Sequence, residues 1–189
     1  MIFTPTKLLG AYIIDLHKLS DERGFFAHAW CQKEFEAHHL ISKVVQCSVA
    51  FNPHRGTLRG MHFQVPPYAE VKLIRCTQGA LYDVIIDLRP QSLTYLQWLG
   101  VELTADNRRA LYIPEGFAHG YQTLTADTEA FYQMSQFYHA EAAGGVRWND
   151  AVFGIDWPDA SHRLISTKDQ NWPDYVPLRQ PQKSHAVAP

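Results

Sequence analysis

From Ala80 to Arg89 the chain reads ALYDVIIDLR, and Tyr82, Val84, Ile86 and Leu88 fall on one face of a strand of period two. Shorter runs surround this element. Residues 8–16, 25–30 and 43–51 read as strands, separated by the turn signals Ser20-Asp21-Glu22-Arg23-Gly24 and Asn52-Pro53-His54-Arg55-Gly56. Strand character resumes through Arg59–Gln64, breaks at Pro66-Pro67, returns over Val71–Cys76 and closes at Thr77-Gln78-Gly79. Residues 95–103, 109–113, 119–124 and 129–138 complete the series, and only Gln32–Leu40 suggests a short helix. Strands at roughly 8–12-residue spacing, with no sustained 3.6 periodicity, predict an all-β sandwich or barrel. A single domain is expected over residues 1–177, with a polar, proline-containing tail over 178–189.

A length of 189 residues suits one domain with a real core, and 46% hydrophobic with 13% aromatic residues excludes a disordered chain. The net charge of -2 gives no basis for nucleic-acid or acidic-membrane partners. No apolar run approaches the ~18 residues of a membrane span, and the N-terminal residues lack a basic segment followed by an apolar one. Cys31, Cys47 and Cys76 have no metal-finger or CxxC spacing, so reduced thiols in a cytoplasmic protein are expected.

Chemistry concentrates between Gly56 and Gly79. Arg59, His62 and Gln64 lie within six residues, followed by Glu70 and Lys72. In a regular strand Arg59 and His62 point to opposite faces. If they serve one pocket, the strand must bulge, and Gly60 is the residue that permits it. Lys72 sits among Val71, Leu73 and Ile74, and Tyr132 among Ala130, Phe131 and Met134. A lysine in such company is a candidate for charge stabilisation, unless its ammonium snorkels to the rim. His62 with Glu70, and Pro114-Glu115-Gly116-Phe117-Ala118-His119, look like two halves of a cupin metal site. Gln64 stands where such a site has a second histidine, and an amide is a poor ligand for transition metals. An imidazole base in a barrel pocket is the favoured reading, with iron on a two-His, one-Glu triad as the alternative.

RGMHFQ, the PPY segment with Lys72 and Arg75, IPEGFAHGY, Tyr132, Arg147-Trp148 and Leu164…Lys168-Asp169 recur in this order in one family. On these motifs the chain resembles, from about residue 1 to residue 177, the dTDP-4-dehydrorhamnose 3,5-epimerases. The resemblance implies a cupin-like jelly-roll barrel with short peripheral helices, a homodimer, and an isomerase using no metal and no cofactor. The expected substrate is a nucleotide-diphospho-4-keto-6-deoxyhexose, with inversion at carbons beside the ketone. By resemblance His62 is the base, Asp169 its hydrogen-bond partner, Lys72 the stabiliser of the enolate oxygen and Tyr132 the acid, with Asp83 behind them. Arg23, Arg59 and His119 would meet the diphosphate. Phe26, Gln46 and Ser48 would meet the nucleotide and Tyr138 would stack on its base, with His28 and Lys168 also on the substrate side.

Four positions depart from the family pattern: His28 replaces Glu, Ser48 replaces Asn, Ala143 replaces Glu and Gln133 replaces Lys. They raise the expectation of a different nucleotide or sugar, such as a CDP-linked keto sugar, or of inversion at one carbon. A 3,4-ketoisomerase, a non-catalytic sugar-binding cupin and a metal-dependent cupin are the other readings.

Overall fold

The computed structural model describes residues 1–178, and strands dominate it. In chain order the elements are β1 (Ile2–Pro5), β2 (Tyr12–Asp15), β3 (Leu19–Asp21), β4 (Gly24–Phe26), α1 (Gln32–Ala37), β5 (Gln46–Asn52), β6 (Thr57–Gln64) and β7 (Lys72–Gln78). There follow β8 (Ala80–Asp87), β9 (Trp98–Thr104), β10 (Ala110–Ile113), β11 (Phe117–Thr123), β12 (Thr128–Met134), β13 (Ala143–Gly145), β14 (Leu164–Ile165) and α2 (Thr167–Gln170). One sheet runs β1-β2-β10-β7-β12-β5 and a second runs β13-β6-β11-β8-β9, with β14 added parallel to β6. Every other pairing is antiparallel, and the two sheets face one another as a cupin-type jelly roll. No helix among the described residues is long and apolar enough to cross a membrane.

The period-two pattern of β8 explains the layering. Leu81 and Ile85 join Ile74, Leu111, Ala130 and Tyr121 between the sheets. Val84 and Ile86, with Tyr82 and Leu88, face the other way, as their spacing predicts, into a second cluster with Val146, Phe153 and Trp157. Both faces of β8 are covered, which is why it reads as a nearly continuous apolar run. A third cluster lies outside the first sheet, where Phe35 of α1 packs on Ile14, Leu73 and Tyr112. At six residues α1 is too short to hold by itself, and burial of Phe35, worth about 2–3 kcal/mol, anchors it.

Several expected boundaries move. The strand expected over residues 25–30 ends at Phe26, and the Ala29 carbonyl accepts from Arg75 Nη2 (2.6 Å) rather than from a sheet neighbour. β1 was not read from the sequence at all; it pairs with β2 through all four of its residues. β3 and β4 form a separate two-stranded ribbon whose Phe25 and Phe26 are exposed. The expected tail from 178 onward lies outside the described residues, except for Leu178, whose N–H donates to Tyr95 Oη at 2.9 Å.

Candidate active site

A cavity of about 760 Å³ opens between the sheets. From the first sheet, Gln46 and Ser48 (β5), Lys72 (β7) and Tyr132 (β12) line it. Their register explains the grouping: Ser48 and Ile74 both pair with Tyr132, and Gln46 and Lys72 both pair with Met134, so these side chains share the inward face. From the second sheet come Arg59, His62 and His119, and from α2 and the loops come Lys168, Asp169 and Tyr138.

Arg59 and His62 do share the cavity, and the strand between them is irregular as expected. His62 pairs with His119 while Arg59 pairs with Tyr121, so β6 spends one more residue than β11 over the same interval. Gly60 adopts φ +129, its peptide to Met61 is cis, and a Cβ there would lie 2.5 Å from Gly120 Cα. Glycine is required both by the backbone angle and by the close approach of the two strands.

His62 Nε2 is 2.6 Å from Asp169 Oδ1, and Asp169 Oδ2 accepts the Gly60 N–H at 3.2 Å. An ionised carboxylate only accepts, so Nε2 carries the proton and Nδ1 is left as the basic nitrogen. Burial acts to raise the Asp169 pKa, but the bonds from His62 and Gly60 outweigh it and hold the carboxyl below its ordinary value. Ser166 caps α2 by accepting the Asp169 N–H (3.1 Å), which fixes the helix carrying the carboxylate.

Lys72 does not snorkel to solvent: its Nζ is 3.0 Å from Glu70 Oε1, and both side chains are largely buried. The Tyr132 ring meets His119 edge-on at 6.0 Å. Burial, then the neighbouring Tyr121 and Asp83, push the Tyr132 phenol well above its ordinary value of 10, so it keeps its proton at neutral pH. His119 Nε2 is 2.7 Å from Asp83 Oδ1. Asp83 therefore stands behind His119 and does not line the cavity; burial raises its pKa, with the His119 and Lys72 charges opposing. Arg59 donates from Nε to Asn52 Oδ1 (2.8 Å), leaving its two terminal nitrogens free of that contact.

Three expected substrate residues are not brought in. Arg23 is paired with Asp21 (2.5 Å) on the exposed ribbon. Phe26 is exposed, and His28 bonds Glu34 (3.0 Å). None lines the cavity: Arg23 and Phe26 belong to a ribbon that pairs only with itself, and His28 follows it. The alternative metal set is also not assembled. Nε2 of His62 is turned to Asp169, Nε2 of His119 to Asp83, and Glu70 to Lys72. Among the described residues, the one group of three side chains with ligand atoms close enough for a metal is His28, Cys31 and Glu34, away from the cavity. Asn52 and the Glu70–Lys72 pairing were missed from the sequence, where Asn52 read as a turn residue and Glu70 as a possible metal ligand.

Comparison with known proteins is consistent along the chain. The family model described as dTDP-4-dehydrorhamnose 3,5-epimerase matches residues 5–176. A dTDP-4-dehydrorhamnose 3,5-epimerase of Sinorhizobium fredii is 38% identical over 178 residues, covering 94% of this chain and 91% of that protein. The crystal structure of the Elizabethkingia anophelis enzyme of the same name superimposes with TM-score 0.90 at 37% identity, covering 93% of this chain and 96% of that one. That of Bacillus anthracis, with TDP and PPi bound, gives 0.87 at 40% identity, covering 92% and 99%.

Proposed function

The chain belongs to the dTDP-4-dehydrorhamnose 3,5-epimerase family, and we propose that it inverts C3 and C5 of a dTDP-linked 4-keto-6-deoxyhexose by side-chain acid–base chemistry. The observation that carries this reading is a single cavity with His62 on one sheet backed by Asp169 of α2, Tyr132 on the facing sheet, and Lys72 beside Tyr132's strand.

A C–H beside a ketone is a weak acid. Its removal needs a positioned base, and the charge that forms needs positive charge nearby. His62 takes the proton while the C–H electrons move to the carbonyl oxygen, and Asp169 stabilises the imidazolium. Lys72 meets the enolate oxygen. Tyr132 then returns a proton from the opposite face: its O–H breaks, a new C–H forms and the ketone is restored. Exchange with water resets both residues.

At the nucleotide end Arg59, oriented by Asn52, meets the diphosphate together with His119 and Lys168, and Gln46, Ser48 and Tyr138 surround the base. The exposed ribbon supports a homodimer in which Arg23 of the partner subunit and Phe26 of the partner subunit complete each cavity, with His28 of the partner subunit beside them. Nothing in the comparisons favours the CDP-linked, ketoisomerase or sugar-binding readings, so Ser48, Ala143, Gln133 and His28 are read as variation around a dTDP site.

Turnover of dTDP-4-keto-6-deoxyglucose, followed by proton NMR, tests the proposal. The expected product is inverted at both carbons with the ketone still at C4, and the CDP-linked analogue should turn over at least tenfold less efficiently. Equal use of the CDP sugar, or a ketone moved to C3, refutes it.

A further inference from the structure

Lys72 is held from one side. Its Nζ lies 3.0 Å from Glu70 Oε1, with the lysine side chain 13% exposed and the glutamate 10%. The other Glu70 oxygen lies 3.3 Å from Gln64 Nε2, the longest of that amide's three contacts and at most a share of its two protons. Gln64 is itself fixed. Its amide donates to the carbonyls of Tyr68 (2.9 Å) and Phe137 (3.1 Å), and its oxygen accepts the His139 N–H at 2.6 Å. Only one orientation of the amide satisfies these backbone partners, so the NH₂ end must face Glu70.

Asp83, behind His119, is fully buried, and its Oδ2 has no hydrogen-bond partner among the described residues. One Glu70 oxygen is engaged by the Lys72 ammonium and the other is turned to the Gln64 amide, which leaves Glu70 poorly placed to act as a base itself.

We propose that Glu70, set beside the Gln64 amide, is a positioning residue for the epimerisation, holding the Lys72 ammonium at the cavity wall so that it meets the substrate's ketone oxygen. This rests on the reading of Lys72 as the group that stabilises the enolate. Glu70 exchanges no proton with the substrate; its effect passes through Lys72.

The test compares E70Q, E70D and E70A, with H62N beside them, in steady-state turnover of dTDP-4-keto-6-deoxyglucose and in solvent deuterium uptake. The Gln oxygen can stand where the Glu oxygen stood and still accept from Lys72, at the cost of a donor–donor contact between its NH₂ and that of Gln64, whereas Asp keeps the charge but retracts the acceptor by one methylene. Positioning therefore predicts E70Q within about fivefold of the parent kcat, E70D down roughly tenfold, and E70A down roughly 10–100-fold. KM should stay within about threefold in all three, and deuterium uptake should fall in step with kcat. An E70D variant that matches the parent while E70Q is poor would show that charge alone matters and overturn the proposal. So would unchanged kcat with raised KM, the mark of a sugar-binding group. If E70A does not fold, the order of E70Q and E70D still decides. H62N separates the two levels: full deuterium uptake by H62N sinks the epimerase reading itself, whereas an inactive H62N with the reversed Glu70 order sinks only this inference.

Discussion

Replacing Gly60 by alanine probes the feature that lets Arg59 and His62 work in one cavity. The new Cβ would lie 2.5 Å from Gly120 Cα and 2.9 Å from the His119 carbonyl oxygen, on a backbone at φ +129. Holding a non-glycine residue at such an angle costs about 1–3 kcal/mol. Forcing a methyl into backbone atoms that cannot rotate away costs about 1–3 kcal/mol more. The combined loss of roughly 2–6 kcal/mol corresponds, for a chain of this size, to a fall of roughly 5–20 °C in Tm. Gly154 supplies the control: its φ is +58 and nothing lies within 4 Å of its would-be Cβ, so Gly154→Ala should cost only about 1–2 kcal/mol. Relief at Gly60 requires β6 to move off β11, which shifts Arg59 and His62 relative to Lys72 and Tyr132 on the facing sheet. Folded Gly60→Ala protein should therefore lose about 100-fold in kcat/KM, since misplacement near 1 Å is worth that much. Thermal unfolding by circular dichroism and steady-state kinetics read both effects. A Gly60→Ala variant as stable as Gly154→Ala and fully active would refute the account of the bulge.

Asp169→Asn should lower kcat about 100-fold, because the amide can present N–H to Nε2 and turn the imidazole to the wrong tautomer. Since the folded-state pKa of Asp169 is depressed, its contribution to stability is present above the ordinary carboxylate value of ~3.9 and is lost as pH falls through the depressed one. Melting midpoints of parent and Asp169→Asn should thus converge below about pH 4; a constant difference down to acid pH contradicts the assignment. Tyr132→Phe should retain deuterium uptake at C3 and C5 within about tenfold while inversion falls by 100-fold or more; equal loss of both would remove Tyr132 from the acid role. Mixing refolded Arg23→Ala and His62→Asn subunits should restore about a quarter of parent activity at low substrate, because half the dimers are mixed and one of their two sites is intact. An inactive mixture means that the ribbon does not serve the partner's cavity.

Alternation in β8 made the strand-rich class legible in the sequence, and parity made the bulge legible: Arg59 and His62 can reach one cavity only if the strand gains a residue between them, and Gly60 is the residue there that tolerates it. The pairing of His62 with Asp169 was legible only through the family resemblance, because the carboxylate sits on a four-residue helix too short to show any periodicity. Lys72 read as isolated among apolar neighbours because its partner Glu70 precedes the strand, and a bend after Tyr68 returns it to the ammonium. Arg23, Phe26 and His28 fell into the expected site by motif alone. The motif order that placed them there carries no record that the ribbon pairs only with itself.

Proton NMR of dTDP-4-keto-6-deoxyglucose with the protein in heavy water tests the central claim most directly, with His62→Asn run in parallel. The account predicts deuterium at C3 and C5, inversion at both carbons, an unmoved ketone, and loss of uptake by about 100-fold or more in His62→Asn. Undiminished uptake by His62→Asn, or inversion without any deuterium gained from solvent, would contradict it.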